Sequence, residues 1–122
     1  MSAALLTQGS TAIRDALKTL VSHVGIATDT TAFSAAQTAM NPAGGGTNII
    51  KASTEADVNA TTFDASATIT SADGTGSFRT VSILNGSAVG NALSRSVRTN
   101  GIGIDAGDSY TVTVRVAVQD NS

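Results

Sequence analysis

The sequence predicts a mainly β protein, an antiparallel β-sandwich or partly open barrel with one N-terminal helix. Three observations lead there. Residues 109–119 alternate with period two: Tyr110, Val112, Val114, Val116 and Val118 fall on one face, and Ser109, Thr111, Thr113, Arg115, Ala117 and Gln119 on the other. After Thr47, turn signals recur roughly every ten to fifteen residues between short β-branched stretches, the rhythm of a sandwich or barrel. Only residues 7–21 carry apolar side chains at helical spacing. Burying each aliphatic side chain of the last strand is worth about 1.5–3 kcal/mol, so this strand is expected to organise the sheet.

Composition narrows the class. At 122 residues the chain is read as one domain, residues 1–122. A domain this size buries roughly two-thirds of its unfolded surface, enough for one modest core. An apolar share of 41% and a net charge of −2 argue against global disorder. Seven basic residues with no cluster give no electrostatic case for nucleic acid. The absence of cysteine excludes a disulfide framework and a thiolate metal site. No basic segment leads into a long apolar run, and no run is long enough to span a bilayer. The expectation is a protein made in a cytoplasm, without membrane or nucleic-acid partner.

In chain order, the helix over 7–21 places Ile13, Ala16, Leu17 and Leu20 on one stripe, with Thr7 or Ser10 as the cap and Gly25 beyond its end. Arg14, Asp15 and Lys18 fall off that stripe, and like-charged Arg14 and Lys18 offer each other no pairing. Residues 23–27 read as a short strand, and Asp29-Thr30-Thr31 as a turn. The Ala-rich residues 31–40 read as a short helix or an extended arm. Asn41-Pro42-Ala43-Gly44-Gly45-Gly46, residues 41–46, read as a flexible loop, since Pro42 disfavours helix at Asn41 and three glycines carry the most backbone entropy.

The β region is expected over 47–119. Residues 48–53 form one strand and residues 59–70 the next, with Phe63, Ala65, Ala67 and Ile69 on one face. Asp73-Gly74 reads as a hairpin turn. Residues 78–84 carry Val81 and Ile83 on one face and Phe78 and Leu84 on the other, so both faces are expected to be covered. Asn85-Gly86 is the strongest hairpin signal, leading into a strand over 89–97. Asn100-Gly101 and Ala106-Gly107-Asp108 read as breaks before the last strand.

No catalytic constellation emerges, so no catalytic, cofactor-binding or metal residue is assigned, and the chain is not read as an enzyme. His23 is the only histidine and lies in a strand pattern, where a triad would need three partners. Gly44-Gly45-Gly46-Thr47 lacks the lysine and the helix of a phosphate loop. Gly101-Ile102-Gly103-Ile104 precedes a strand instead of the helix a dinucleotide fingerprint opens. Asp73 alone is too few carboxylates for calcium. Asn59-Ala60-Thr61 and Asn85-Gly86-Ser87 match the glycosylation pattern but lack a secretion signal. Arg95 and Arg98 read as a solvated face that could meet an acidic partner.

Several segments in fixed order carry a resemblance. They are T-D-T-T-A-F-S-A-A-Q-T-A-M (28–40), N-A-T-T-F-D-A-S-A-T-I (59–69), F-R-T-V-S-I-L-N-G-S (78–87), A-L-S-R-S-V (92–97) and Y-T-V-T-V-R-V (110–116). With the N-terminal helix, they resemble the small virion structural proteins of tailed bacteriophages, tail-fibre-like or capsid-decoration-like. The resemblance covers most of the chain through short, low-complexity motifs. Ser82-Ile83-Leu84 stands where that family's pattern has Gly-Leu-Phe, and Thr80 where it has an acidic residue, so no inter-subunit contact is carried over to those positions.

The resemblance implies a non-enzymatic building block of the virion, assembled in the bacterial host cytoplasm. Its partners would be itself, as a trimer or next a dimer, and the major capsid protein or tail proteins. A short chain without coiled-coil heptads or a receptor-binding extension is expected to be a capsid decoration (cement) protein, with a tail fibre, neck or baseplate component as the alternative. A sugar-binding β module is less expected, because of the four aromatics Phe63, Phe78 and Tyr110 are claimed by strands and only Phe33 is left.

Overall fold

The structure is a computed structural model that describes residues 6–118. Its elements are α1 (Thr7–Leu20), β1 (His23–Ala27), β2 (Asn48–Ala52), β3 (Thr54–Asn59), β4 (Thr62–Thr70), β5 (Gly76–Leu84), β6 (Ser96–Ile104) and β7 (Ser109–Ala117), with a 3-10 turn at Val89–Asn91. Two antiparallel sheets form a sandwich that does not close into a barrel: a four-stranded sheet in the order β2-β1-β5-β6 and a three-stranded one in the order β3-β4-β7.

Alternation builds the core between them. Val24 and Ile26 of β1, Ile49 of β2 and Ile83 of β5 point inward from the large sheet. Phe63, Ala65, Ala67 and Ile69 of β4 meet them, all on the face the sequence assigned. Phe63 and Phe78 are fully enclosed. Phe78 was expected on the face opposite Val81 and Ile83, yet it joins their cluster. The β5–β6 pairing is irregular between Phe78 and Thr80, and that irregularity resets which face each side chain takes.

The large sheet is covered on its outer face as well. Ala27, Met40 and Leu84 form a second buried cluster there, with Ile50 and Ala92 packed against it. Gly25, in the middle of β1, allows this. A Cβ on it would lie 2.6 Å from Met40 Sδ and 2.9 Å from Leu84 Cδ1, closer than atoms can approach. Gly25 is therefore a packing residue of a central strand, not a helix terminator.

Several elements differ from their sequence reading. The stretch expected as one strand over 59–70 is the end of β3, a turn at Ala60-Thr61, and β4; Asn59 Oδ1 accepts the Thr61 amide at 2.9 Å and makes that turn. Neither Asp73-Gly74 nor Ala106-Gly107-Asp108 closes a hairpin within one sheet; each carries the chain from one sheet to the other. Asn85-Gly86 opens a longer connection, in which Val89–Asn91 is a 3-10 turn and strand begins only at Ser96. Asn100-Gly101 lies inside β6, where the missing Cβ of Gly101 leaves room for the Ser77 side chain. Residues 31–40 contain no helix and run as an irregular arm.

The helix turns a different side to the protein than its apolar stripe predicts. Arg14 and Ser10 are buried, while Ile13 and Leu20 are 41% and 45% exposed. Polar contacts decide this. Arg14 Nη1 donates to the Asn59 carbonyl, Thr11 Oγ1 donates to the Ala60 carbonyl at 2.7 Å, and Lys18 Nζ reaches Asp57 Oδ1 at 2.7 Å. Arg14 also faces Asp57 at 3.5 Å, so the two cations share one carboxylate on β3. Only Leu17 and Val21 reach the core. The start carries no side-chain cap: Leu6 is the capping residue, and Ser10 lies within the helix.

Among the described residues the last strand pairs only with β4, over nine consecutive residues, and is an edge. Val112 is its one fully inward residue; Val114 and Val116 are half-buried and Tyr110 is 39% exposed. Its reading as far as Gln119 extends outside the described residues. Val112→Asp is expected to cost about 3 kcal/mol or more, because it buries an unpaired carboxylate. Thr111→Asp, on the solvent face, is expected to cost about 1 kcal/mol or less. Chemical denaturation of both variants checks this, and equal losses would refute the facing assigned to β7.

Candidate functional site

Residues 28–47 leave β1, cross the outer face of the large sheet and return to β2 as a strap. Three side chains hold it. The Asp29 carboxylate accepts the Thr31 amide at 2.6 Å and the Ala43 amide at 3.1 Å, which ties the two ends of the strap together. Asn41, itself buried, accepts the Gly44 amide at 3.1 Å and donates to the Gly45 carbonyl and to Asn48 Oδ1 at 2.9 Å. Thr28 Oγ1 accepts the Thr47 amide at 3.0 Å. The loop over 41–46 therefore has its own hydrogen-bonded frame, with Gly44 and Gly46 supplying the positive φ angles of 78° and 76° that it needs.

Arg95 enters beneath the strap from the β5–β6 connection. Its Nε donates to the Met40 carbonyl at 3.2 Å, Nη1 to Gln37 Oε1 at 3.1 Å and Nη2 to Thr80 Oγ1 at 3.3 Å. Nη2 also faces Asp29 Oδ1 at 3.5 Å. Thr80 Oγ1 in turn donates to the Asp29 carbonyl at 2.7 Å. The Arg95 and Asp29 side chains are 3% and 1% exposed. Arg95 is thus not on a solvated face; its acidic partner belongs to the same chain. Burial alone would raise the Asp29 pKa, but the Thr31 and Ala43 amides and the Arg95 charge outweigh it and hold the carboxyl below its ordinary range.

Arg95 and the segment 31–40 also shape a shallow surface cavity. Phe33, Gln37 and Ala39 line it from the strap, and Ala92, Leu93 and Ser94 from the β5–β6 connection. Two of its lining side chains are open apolar groups, Phe33 at 62% exposed and Leu93 at 45%; Val89, whose carbonyl accepts the Met40 amide of the strap, is 39% exposed. Exposed aromatic and aliphatic groups on a surface held by a buried polar network suit contact with another macromolecule. Ser82 lies fully buried in β5, and its hydroxyl has no hydrogen-bond partner.

The other residues weighed from sequence fall into local structural roles. His23 opens β1, and its Nδ1 is 2.8 Å from Ser22 Oγ. In the glycine stretch, the Ala43 and Gly44 amides are taken by Asp29 and Asn41, so the chain's own side chains stand where an anion would bind. Asp73 accepts the Thr70 amide at 2.9 Å and pairs with Lys51 at 3.0 Å, which spends it on a turn. Arg98 is exposed, and its Nε donates to the Asn100 carbonyl at 3.3 Å. Among the described residues no group of three or more His, Asp or Glu side chains is placed to hold a metal. No helix among them is long and apolar enough to cross a membrane. The aromatics divide differently than expected: Tyr110 is open alongside Phe33, and only Phe63 and Phe78 are fully enclosed. Comparison with protein-family models, curated protein sequences and solved structures finds no match.

Two outcomes follow from this geometry. Arg95→Met leaves Asp29 buried without its cation, and breaking such a pair costs about 3–5 kcal/mol. The strap should loosen at the same time. A broad-specificity protease should then cut residues 31–46 faster than in the parent, while an unchanged digestion rate and melting temperature would refute the anchoring role. The second outcome concerns acid. Asp29, Asp57, Asp64 and Asp73 all have pKa values lowered below the ordinary 3.8. A depressed folded-state value contributes stability that is complete above the unfolded value and is lost as pH falls through the folded one. Melting temperature should therefore hold steady down to about pH 5 and fall below about pH 4. Asp29→Asn should flatten that acid limb.

Proposed function

We propose that the protein is a non-enzymatic structural component of a tailed-bacteriophage virion, a decoration protein that cements the capsid surface. One observation carries the reading. The segments that bear the resemblance lie far apart in sequence, yet three of them converge on one substructure: residues 28–40 in the strap, residues 78–87, which hold most of β5, and residues 92–97, which hold Arg95. Arg95 bonds Gln37 and Met40 of the first and Thr80 of the second. Thr80 and Ser82, where the chain departs from the family pattern, are both fully buried beneath the strap. These positions serve the chain's own packing and leave Phe33, Val89 and Leu93 as the outward contact surface.

In this reading the exposed apolar rim meets the capsid lattice, with the contact spread over several side chains and no residue acting catalytically. Self-association, as a trimer or next a dimer, accompanies it.

The test is to mix purified protein with undecorated capsids, sediment them together and record capsid melting with and without it. Binding with a rise in capsid melting temperature is the expected result. Phe33→Ser combined with Leu93→Ser should weaken binding by about tenfold or more, since desolvated aromatic and aliphatic anchors carry most contact energy. A protein that neither binds capsids nor changes their melting would overturn the decoration role and favour a tail fibre, neck or baseplate component, to be located by electron microscopy of whole particles.

A further inference from the structure

We propose that the free edge of β7 is a docking site for one extended segment of a partner protein, apolar at alternate positions and acidic instead of basic between them. The inference stands apart from the virion reading, because it rests on the backbone and on the sheet count.

The two sheets are unequal. The large sheet has four strands and the small one three, and β4 packs against β1 and β2. That alignment sets β7 opposite β5 and leaves β6 without a strand across from it among the described residues. The result is an open groove along the inner side of β7. Val81, Arg98 and Ile102 form one wall, facing Tyr110, Val112 and Val114. It continues past Val114 and Val116 toward Leu17, Val21 and Leu93 at the helix end. Ser94, Val114 and Arg115 line both halves.

The backbone is ready for a neighbour. The Val118 amide donates to the Thr61 carbonyl at 2.9 Å, which fixes the direction of every peptide group in the ladder. Even-numbered residues of β7 face β4. The N–H and C=O groups of Thr111, Thr113, Arg115 and Ala117 therefore face outward, away from β4.

Comparison of the four edges makes β7 the exception. Natural proteins blunt edges with short length, charge, bulges or cover. β2 is five residues long and carries Lys51. β3 carries Glu55 and Asp57, has an irregularity between Asp57 and Asn59, and is tied to the helix by Lys18. β6 pairs irregularly and holds Arg98. β7 runs nine residues in unbroken register without proline. Its one charge, Arg115, is turned to Asp64 on the outer face at 2.9 and 3.1 Å.

The occupant follows from shape and charge. A second copy offering its own β7 would bring its own β5, the strand across from β7, to the place that β6 of the first copy already fills. A lone extended strand carries no such second layer. Of the charged residues lining the groove, Arg115 is paired with Asp64 and Arg98 has no acidic partner among the described residues, and that cation favours acidic over basic residues in the docked strand. Strand addition of this kind takes affinity from main-chain bonds and selectivity from pockets for alternate side chains.

The probe is a synthetic library of peptides of about nine residues, with valine, isoleucine or leucine at alternate positions and threonine, serine, glutamate or lysine between. Selected peptides should be enriched in glutamate over lysine. They should slow hydrogen exchange at the amides of Thr111, Thr113, Arg115 and Ala117. Thr113→Pro removes an outward donor without breaking the β4 ladder, and should weaken binding about tenfold. Arg98→Glu, at an exposed side chain, should reverse the charge preference, and it carries the test if the proline variant does not fold. A library that yields no binder, or binders that leave those four amides unprotected, overturns the proposal. Self-association of the free protein that Thr113→Pro abolishes would also overturn it and assign the edge to a second copy.

Discussion

The buried Arg95–Asp29 contact is the constraint from which the rest of the large sheet takes its arrangement. A strand in a sandwich normally has one dry face. Here β1 and β5 are dry on both, with Val24, Ile26 and Ile83 toward the small sheet and Gly25, Ala27 and Leu84 toward the strap. The strap offers little apolar surface of its own beyond Met40. Its position is set by directional bonds, since Arg95 fixes the Met40 carbonyl, Gln37 and Asp29 at once. Buried ion pairs add little net stability compared with apolar packing, because both charges lose their water. Such a pair does discriminate between one docking of the strap and another, since a shifted strap would leave a guanidinium or a carboxylate buried alone.

Polar contacts repeat this role at the other end of the sandwich. Arg14, Thr11 and Lys18 seat the helix on β3 and the β3–β4 turn, and Ile13 and Leu20 of its apolar stripe face outward as a consequence while Leu17 keeps its core contact. In a chain with few charges, each long cation with a buried carbonyl or carboxylate in reach settles the orientation of an element. Hydrophobicity then fills the space that remains.

This explains which features the sequence made legible. Period two identified β4, β5 and the solvent and core faces of β7, because alternation reports directly on which side chains turn inward. It could not report the neighbours of a strand, so β7 reads as the organiser and is an edge. β3 was missed because Glu55 and Asp57 interrupt its apolar pattern, as an exposed edge strand requires. Phe78 changed faces because an irregular pairing with β6 adds residues that no local pattern announces. Arg95 was invisible as a buried group, because its partners Asp29, Gln37 and Met40 lie 55 or more residues away in the chain. Local sequence fixes neither that closure nor the cover it creates.

The two sheets beside this closure are unequal. The strap joins β1 to β2 across the outside of the large sheet, and the β5–β6 connection bends back under it to deliver Arg95. Among the described residues the small sheet stops at β7, and its inner side stays open beside β6. Tyr110, Val114 and Val116 keep the alternation of a buried strand although their cover is incomplete. An edge meant only for solvent would gain from charge or proline at those positions, and β3 has the charge. The pattern of β7 is that of a strand with neighbours on both sides, and the described residues supply one of them.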